Sequence, residues 1–148
     1  MLIVSIFFVG AGSASALTHT NPLNVTASVV ASCRVTGVTD IAFGDYDVTD
    51  ATAKDAAGNM VFKCTKSTAY KTYVVGTRTM LNGAEVLNFE IYSDAGRTAA
   101  YPATSGAGLT GTAASSANIT RDIYGRIPAE QDVATGSYAR ELTATIEY

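Results

Sequence analysis

From Leu23 onward the apolar side chains fall on every second residue: Leu23, Val25, Ala27, Val29, Ala31, Cys33 and Val35. Asn24, Thr26, Ser28, Ser32 and Arg34 fill the intervening places, interrupted by Val30. Successive side chains of a strand point to opposite faces, so this stretch builds one largely apolar face. It is long for one strand, since strands average about 5–6 residues. Two consecutive strands, with a change of role near Val30–Ser32, are the simpler expectation. Further strands are expected at Ile41–Tyr46, around Val61, Phe62 and Cys64, and over Tyr70–Gly76. Leu87, Phe89 and Ile91 form another alternation, followed by Ile119, Arg121 and Ile123. In the last stretch, Tyr138–Tyr148, Leu142, Ala144, Ile146 and Tyr148 share one face. Asn82-Gly83 is a hairpin-turn signal, and Asp94-Ala95-Gly96 closes the strand before it. The segment Ala103–Ala117, rich in Gly, Ala, Ser and Thr, reads as a mobile surface loop. Short strands at regular spacing argue for an all-β sandwich in one domain.

The start of the chain follows a different rule. Leu2 to Gly10 is an apolar run, and small residues follow to Ala14-Ser15-Ala16. Ala14 and Ala16 match the small-residue requirement of signal-peptide cleavage. The run is shorter than the roughly 20 residues of a membrane-spanning helix. No Lys or Arg precedes it, a departure from the usual signal. The expectation is a signal peptide over residues 1–16 and an exported mature chain beginning at Leu17. The net charge of −3, with no basic patch, argues against nucleic acid as a partner.

Export changes the meaning of the two cysteines, Cys33 and Cys64. In an oxidising compartment a lone pair of cysteines bonds to itself more often than not. A metal site or two free thiols is the alternative. A metal needs more ligands, and the one histidine, His19, lies near the mature terminus. Asp45, Asp47 and Asp50 suggest calcium at first sight. Counted from Asp45, however, the closing position of a 12-residue calcium loop is Ala56 rather than a glutamate. A solvated acidic turn is the expectation. No Gly-x-Ser-x-Gly elbow occurs, no carboxylate pair is marked out, and Gly106-Ala107-Gly108 lacks a phosphate-binding lysine. Neither an enzyme nor a cofactor is expected. Asn24-Val25-Thr26 and Asn118-Ile119-Thr120 match the three-residue glycosylation sequon, a weak signal.

The ends of the chain carry the functional reading. The last expected strand runs to the final residue, and the first follows the export signal closely. A sandwich lacking its last strand has an exposed apolar groove and an unpaired edge, which another molecule's strand can fill.

Several segments resemble the spore coat protein U family, which includes the pilins of archaic chaperone–usher pili. They run from Leu23-Asn24-Val25-Thr26-Ala27-Ser28-Val29 into Ala31-Ser32-Cys33-Arg34-Val35 and Ile41-Ala42-Phe43-Gly44-Asp45-Tyr46. Phe89-Glu90-Ile91-Tyr92-Ser93-Asp94-Ala95-Gly96-Arg97-Thr98, Tyr124-Gly125-Arg126-Ile127-Pro128 and Gly136-Ser137-Tyr138 follow. The resemblance implies an incomplete immunoglobulin-like β-sandwich that lacks its last strand and is completed by donor-strand exchange. It implies a donor segment over residues 17–30 and a pilin domain over 31–148, with Leu23, Val25, Ala27 and Val29 as donor plugs. It also implies a disulfide on Cys33 and Cys64, and a C-terminus, Tyr148, held by a periplasmic chaperone. The implied partners are identical or related subunits, that chaperone and an outer-membrane usher. The implied location is a fimbrium at the cell surface, supporting attachment and biofilm formation. A minor or tip adhesin subunit, or a secreted coat protein that forms no pili, are the other expectations. Antibody-type hallmarks are missing, since the chain has no Trp.

Overall fold

A computed structural model describes residues 15–148. The expected signal segment therefore lies, but for its last two residues, outside the described residues. The strands are β1 (Cys33–Thr39), β2 (Lys54–Cys64), β3 (Ala69–Val75), β4 (Thr79–Asn82) and β5 (Glu85–Asn88). After them come β6 (Glu90–Tyr92), a 3-10 turn (Ser105–Ala107), β7 (Leu109–Thr112), β8 (Ile119–Ile127) and β9 (Thr143–Glu147). They form a four-stranded sheet in the order β1-β2-β8-β6, a three-stranded sheet β7-β3-β9, and the hairpin β4-β5. Every pairing between these strands is antiparallel.

The core lies between the two larger sheets. On β2 the buried positions alternate through Gly58, Met60, Phe62 and Cys64, and on β8 through Ile123, Gly125 and Ile127. They meet Tyr70, Thr72 and Val74 from β3. The rings of Phe62 and Tyr70 cross the interface edge-to-face with centroids 4.9 Å apart, a favoured aromatic geometry. Period-two alternation thus becomes one face per sheet turned inward. The fold is the expected all-β sandwich, with β1 and β6 at the edges of one sheet and β7 and β9 at the edges of the other.

Leu87, Phe89 and Ile91 are all buried, but they do not share one strand. Leu87 belongs to β5 and pairs with β4, whereas Ile91 belongs to β6 and pairs with β8. The chain changes partners at Phe89, whose N–H donates to the Arg78 carbonyl at 3.0 Å. The hairpin turn sits one residue later than Asn82-Gly83 suggests. Asn82 pairs with Glu85, leaving Gly83 and Ala84 as the central pair, and Gly83 takes the positive φ of 62° that the first central position demands.

Three further expectations are corrected. Ile41–Tyr46 is not a strand, although Ile41, Phe43 and Tyr46 pack against the core. Alternation reports which side chains face inward, whereas a strand also needs a neighbour, and the β1–β2 ladder ends at Thr39↔Asn59. The last strand begins at Thr143 rather than Tyr138, because its partner β3 ends at Val75. The small-residue segment Ala103–Ala117 is not simply a loop, since it contains β7, which pairs with β3. Its small residues serve packing: a Cβ at Gly111 would lie 2.6 Å from the Tyr70 ring.

Candidate functional site

Residues 15–32 form no strand and are exposed throughout. Within them Leu23, Val25 and Val29 are 88%, 86% and 84% exposed, so the most regular apolar stripe of the chain touches almost nothing. Ala27 is exposed beside them. The stripe Leu23–Val29 has the same seven-residue length as β1. Its root is fixed. Cys33 and Cys64 are directly opposed in the β1–β2 ladder and joined by a disulfide. One step further out, the Thr65 N–H donates to the Ser32 carbonyl at 2.8 Å. The Thr65 hydroxyl donates to the Val30 carbonyl at 3.1 Å.

The second feature is an open side. β1 lies near β9 from the opposite sheet, each the edge strand of its own sheet. Beyond β1 the chain continues as the unpaired segment 41–48. A cavity of about 900 Å³ opens there, walled by that segment and by residues 133–138, with Met80, Leu87 and Ile127 as its apolar floor. Ile41 and Phe43 reach their places because Gly125 of β8 carries no side chain. A Cβ there would lie 2.7 Å from Phe43 and 2.8 Å from Ile41.

Polar contacts tie the segments around the cavity to one another. The Tyr46 hydroxyl donates to the Pro128 carbonyl at 2.8 Å and accepts from the Gln131 N–H at 3.0 Å. The Gln131 side chain grips the Asn88 backbone at two points. Its Oε1 accepts from the Asn88 N–H and its Nε2 donates to the Asn88 carbonyl, each at 2.9 Å. The Tyr138 hydroxyl donates to the Ala134 carbonyl at 2.7 Å. Gln131 and Thr65 were not singled out by the sequence pattern, because a hydrogen bond between distant loops leaves no periodicity; Tyr46 and Gly125 stood within segments that carry the resemblance, without these roles.

Tyr148 is 60% exposed at the end of β9. Since β9 runs antiparallel to β3, this C-terminus lies at the sandwich end where Cys33 and Cys64 sit and the N-terminal segment departs. A smaller cavity of about 440 Å³ borders it, lined by Tyr70, Lys71, Thr110, Gly111, Glu147 and Tyr148 among others. Lys71 Nζ stands 3.4 Å from Glu147 Oε1.

The acidic turn is engaged locally. The Asp47 carboxylate accepts from the Thr49 hydroxyl and N–H at 2.7 and 2.8 Å, and Asp50 does the same for Thr52 at 2.7 and 2.9 Å. Bonds from the threonine hydroxyls, then their N–H groups, hold both carboxyls below their usual range. Among the described residues no three His, Cys, Asp or Glu side chains converge as a metal site. His19 lies in the exposed segment.

The Spore Coat Protein U domain matches residues 19–145. No curated protein matches. Among solved structures, the fold resembles a chain of the crystal structure of the CsuC–CsuE chaperone–tip adhesion subunit pre-assembly complex from archaic chaperone-usher Csu pili of Acinetobacter baumannii. The TM-score is 0.52 at 15% identity, over 81% of this chain and 40% of that chain. The chain thus spans about two fifths of the length of that structural relative.

Proposed function

The chain belongs to the Spore Coat Protein U domain family, and on that premise we propose that it is a structural subunit of an archaic chaperone–usher pilus. In this reading residues 17–30 are a donor segment and residues 31–148 the sandwich that receives another subunit's segment. Leu23, Val25, Ala27 and Val29 are the plugs. The free edges of β1 and β9 are the acceptor, and the cavity of about 900 Å³ walled by the segment 41–48 continues it past the end of β1. The observation that carries the reading is the exposure of Leu23, Val25 and Val29 beside a sandwich with unpaired edges. An apolar strand face left in water is an aggregation hazard unless a partner covers it, and β-strand addition covers both the side chains and the edge.

Burial supplies the driving force. At about 25 cal/mol per Å² of apolar surface, the plugs contribute several kcal/mol, offset in part by ordering the segment. A subunit must expose its groove again to leave, so the fibre's persistence is kinetic as well as thermodynamic. A periplasmic chaperone occupies the groove beforehand and holds the exposed Tyr148 end, and an outer-membrane usher directs the exchange to the cell surface. A subunit that both gives and receives a strand belongs within the fibre, which favours a repeating subunit over a tip adhesin.

Deleting residues 17–29 tests this reading. The shortened protein is expected to bind the chaperone and to stop polymerising when expressed with chaperone and usher. Continued polymerisation of the shortened protein, seen by electron microscopy, overturns it.

A further inference from the structure

The proposed donor faces a competitor in its own chain. Val29 and Cys33 are separated by only Val30, Ala31 and Ser32. Three-residue loops are common hairpin connections. Turning back there would lay Leu23–Val29 antiparallel along the free edge of β1, on the side where β9 also has a free edge. The subunit would then fill its own groove and have no strand to give.

In the structure the chain does not turn. In an extended chain the carbonyls of residues i and i+2 point the same way. Those of Val30 and Ser32 both point to Thr65, which receives them with its hydroxyl at 3.1 Å and its N–H at 2.8 Å. The Thr65 hydroxyl also reaches the Ser32 carbonyl at 3.5 Å. These contacts carry the β1–β2 pairing outward beyond the Cys33–Cys64 disulfide. Among the described residues they are the hydrogen bonds that hold any part of 15–32 to the sandwich. A reversal at Val30–Ser32 has to rotate both carbonyls away from Thr65.

We propose that Thr65 is a positioning residue for strand donation: it latches the root of the N-terminal segment in line with β1 and biases the monomer against returning the segment to its own groove. This inference rests on the donor reading above. The latch needs little strength. One neutral hydrogen bond shifts a two-state equilibrium by about three- to tenfold.

The test uses the full exported chain with Thr65→Val, which keeps the side-chain shape and the N–H but removes the hydroxyl. Amide hydrogen exchange over Asn24–Val29 is read for the isolated subunit. The original chain is expected to exchange there as an open segment. Thr65→Val is expected to slow that exchange, by less than the roughly three- to tenfold shift itself because exchange senses only the fraction of chains that closes, and to slow polymerisation, and Thr65→Ser, which restores a hydroxyl, to return both. The melting temperature is expected to stay the same in both variants, which a purely structural role for Thr65 would not give. Unchanged exchange in Thr65→Val, or protection already present in the original chain, overturns the latch. Adding a synthetic peptide of residues 17–30 to the full chain separates the two levels. If the peptide binds while Thr65→Val changes nothing, the latch is wrong and the donor reading stands. If the peptide does not bind, the donor reading falls and the latch with it.

Discussion

Tyr46, in the wall of the larger cavity, is joined to Pro128, hydroxyl to carbonyl at 2.8 Å. Tyr46 ends a segment that has no strand beside it, and Pro128 immediately follows β8. The bond, with the one from the Gln131 N–H at 3.0 Å, holds an unpaired backbone where a strand would otherwise be needed. Replacing Tyr46 by Phe removes both bonds and leaves the ring. The expected loss is about 1–2 kcal/mol of stability, read from urea unfolding, together with weaker binding of a peptide of residues 17–30.

Gly125 sets the opposite constraint on the same wall. An alanine there presses on Phe43 and Ile41, at 2.7 and 2.8 Å from its Cβ. Overpacking of this kind costs about 1–3 kcal/mol. Gly125→Ala is expected to lower the melting temperature, and a crystal structure of the variant is expected to show the 41–48 segment displaced outward.

Val25→Asp separates folding from assembly. Val25 is 86% exposed, so the substitution is expected to change stability by no more than about 0.5 kcal/mol. A carboxylate cannot enter an apolar pocket without a partner, so polymerisation is expected to stop. An unfolded variant would show in circular dichroism, and a fibre built from Val25→Asp subunits would count against the plug assignment.

The Cys33–Cys64 disulfide closes a loop with a sequence separation of 31. Loop-closure entropy assigns such a cross-link about 3.5–4 kcal/mol. The double serine variant is expected to lose stability of that order, measured as a lower urea midpoint with a steeper slope, because the unfolded chain without its cross-link exposes more surface.

Acid acts through carboxylates that the fold keeps ionised. Hydrogen bonds from Arg126 at 2.7 and 2.9 Å, with the charge of Arg97 nearby, hold the Asp55 carboxyl below its usual value of 3.8. The N–H of Ala99, then Thr98, does the same for Asp94. A folded-state pKa below the unfolded one contributes stability that is present above the unfolded value and disappears as pH falls through the folded one. The melting temperature is therefore expected to be insensitive to these groups near neutrality and to fall below about pH 4. Asp55→Asn is expected to make that fall shallower in a calorimetric pH series.

Local pattern carried much of the architecture. Met60, Phe62 and Cys64 share a face because strand geometry alternates side chains without reference to the rest of the fold. The inward side of Ile123 and of Leu87, Phe89 and Ile91 was legible for the same reason, whereas the change of partner at Phe89 was not. Ile41–Tyr46 and Ala103–Ala117 were misread in opposite directions. The first has the alternation of a strand and no neighbour, and the second has the composition of a loop and a neighbour in β3.

The stripe of Leu23, Val25, Ala27 and Val29 shows where that boundary falls. Its sequence alone determines that the segment favours an extended form with one apolar face, because that follows from residue order within a few positions. The cysteine pair, on the expectation of export, likewise pointed to one cross-link. Tertiary structure decided that no strand among the described residues takes up this stripe, while β1 and β9 keep free edges. It also decided that Thr65 and Cys64 anchor the segment's root. Alternation specifies a face, whereas pairing depends on which distant strands the fold brings alongside, and that is set only when the two sheets close on their core.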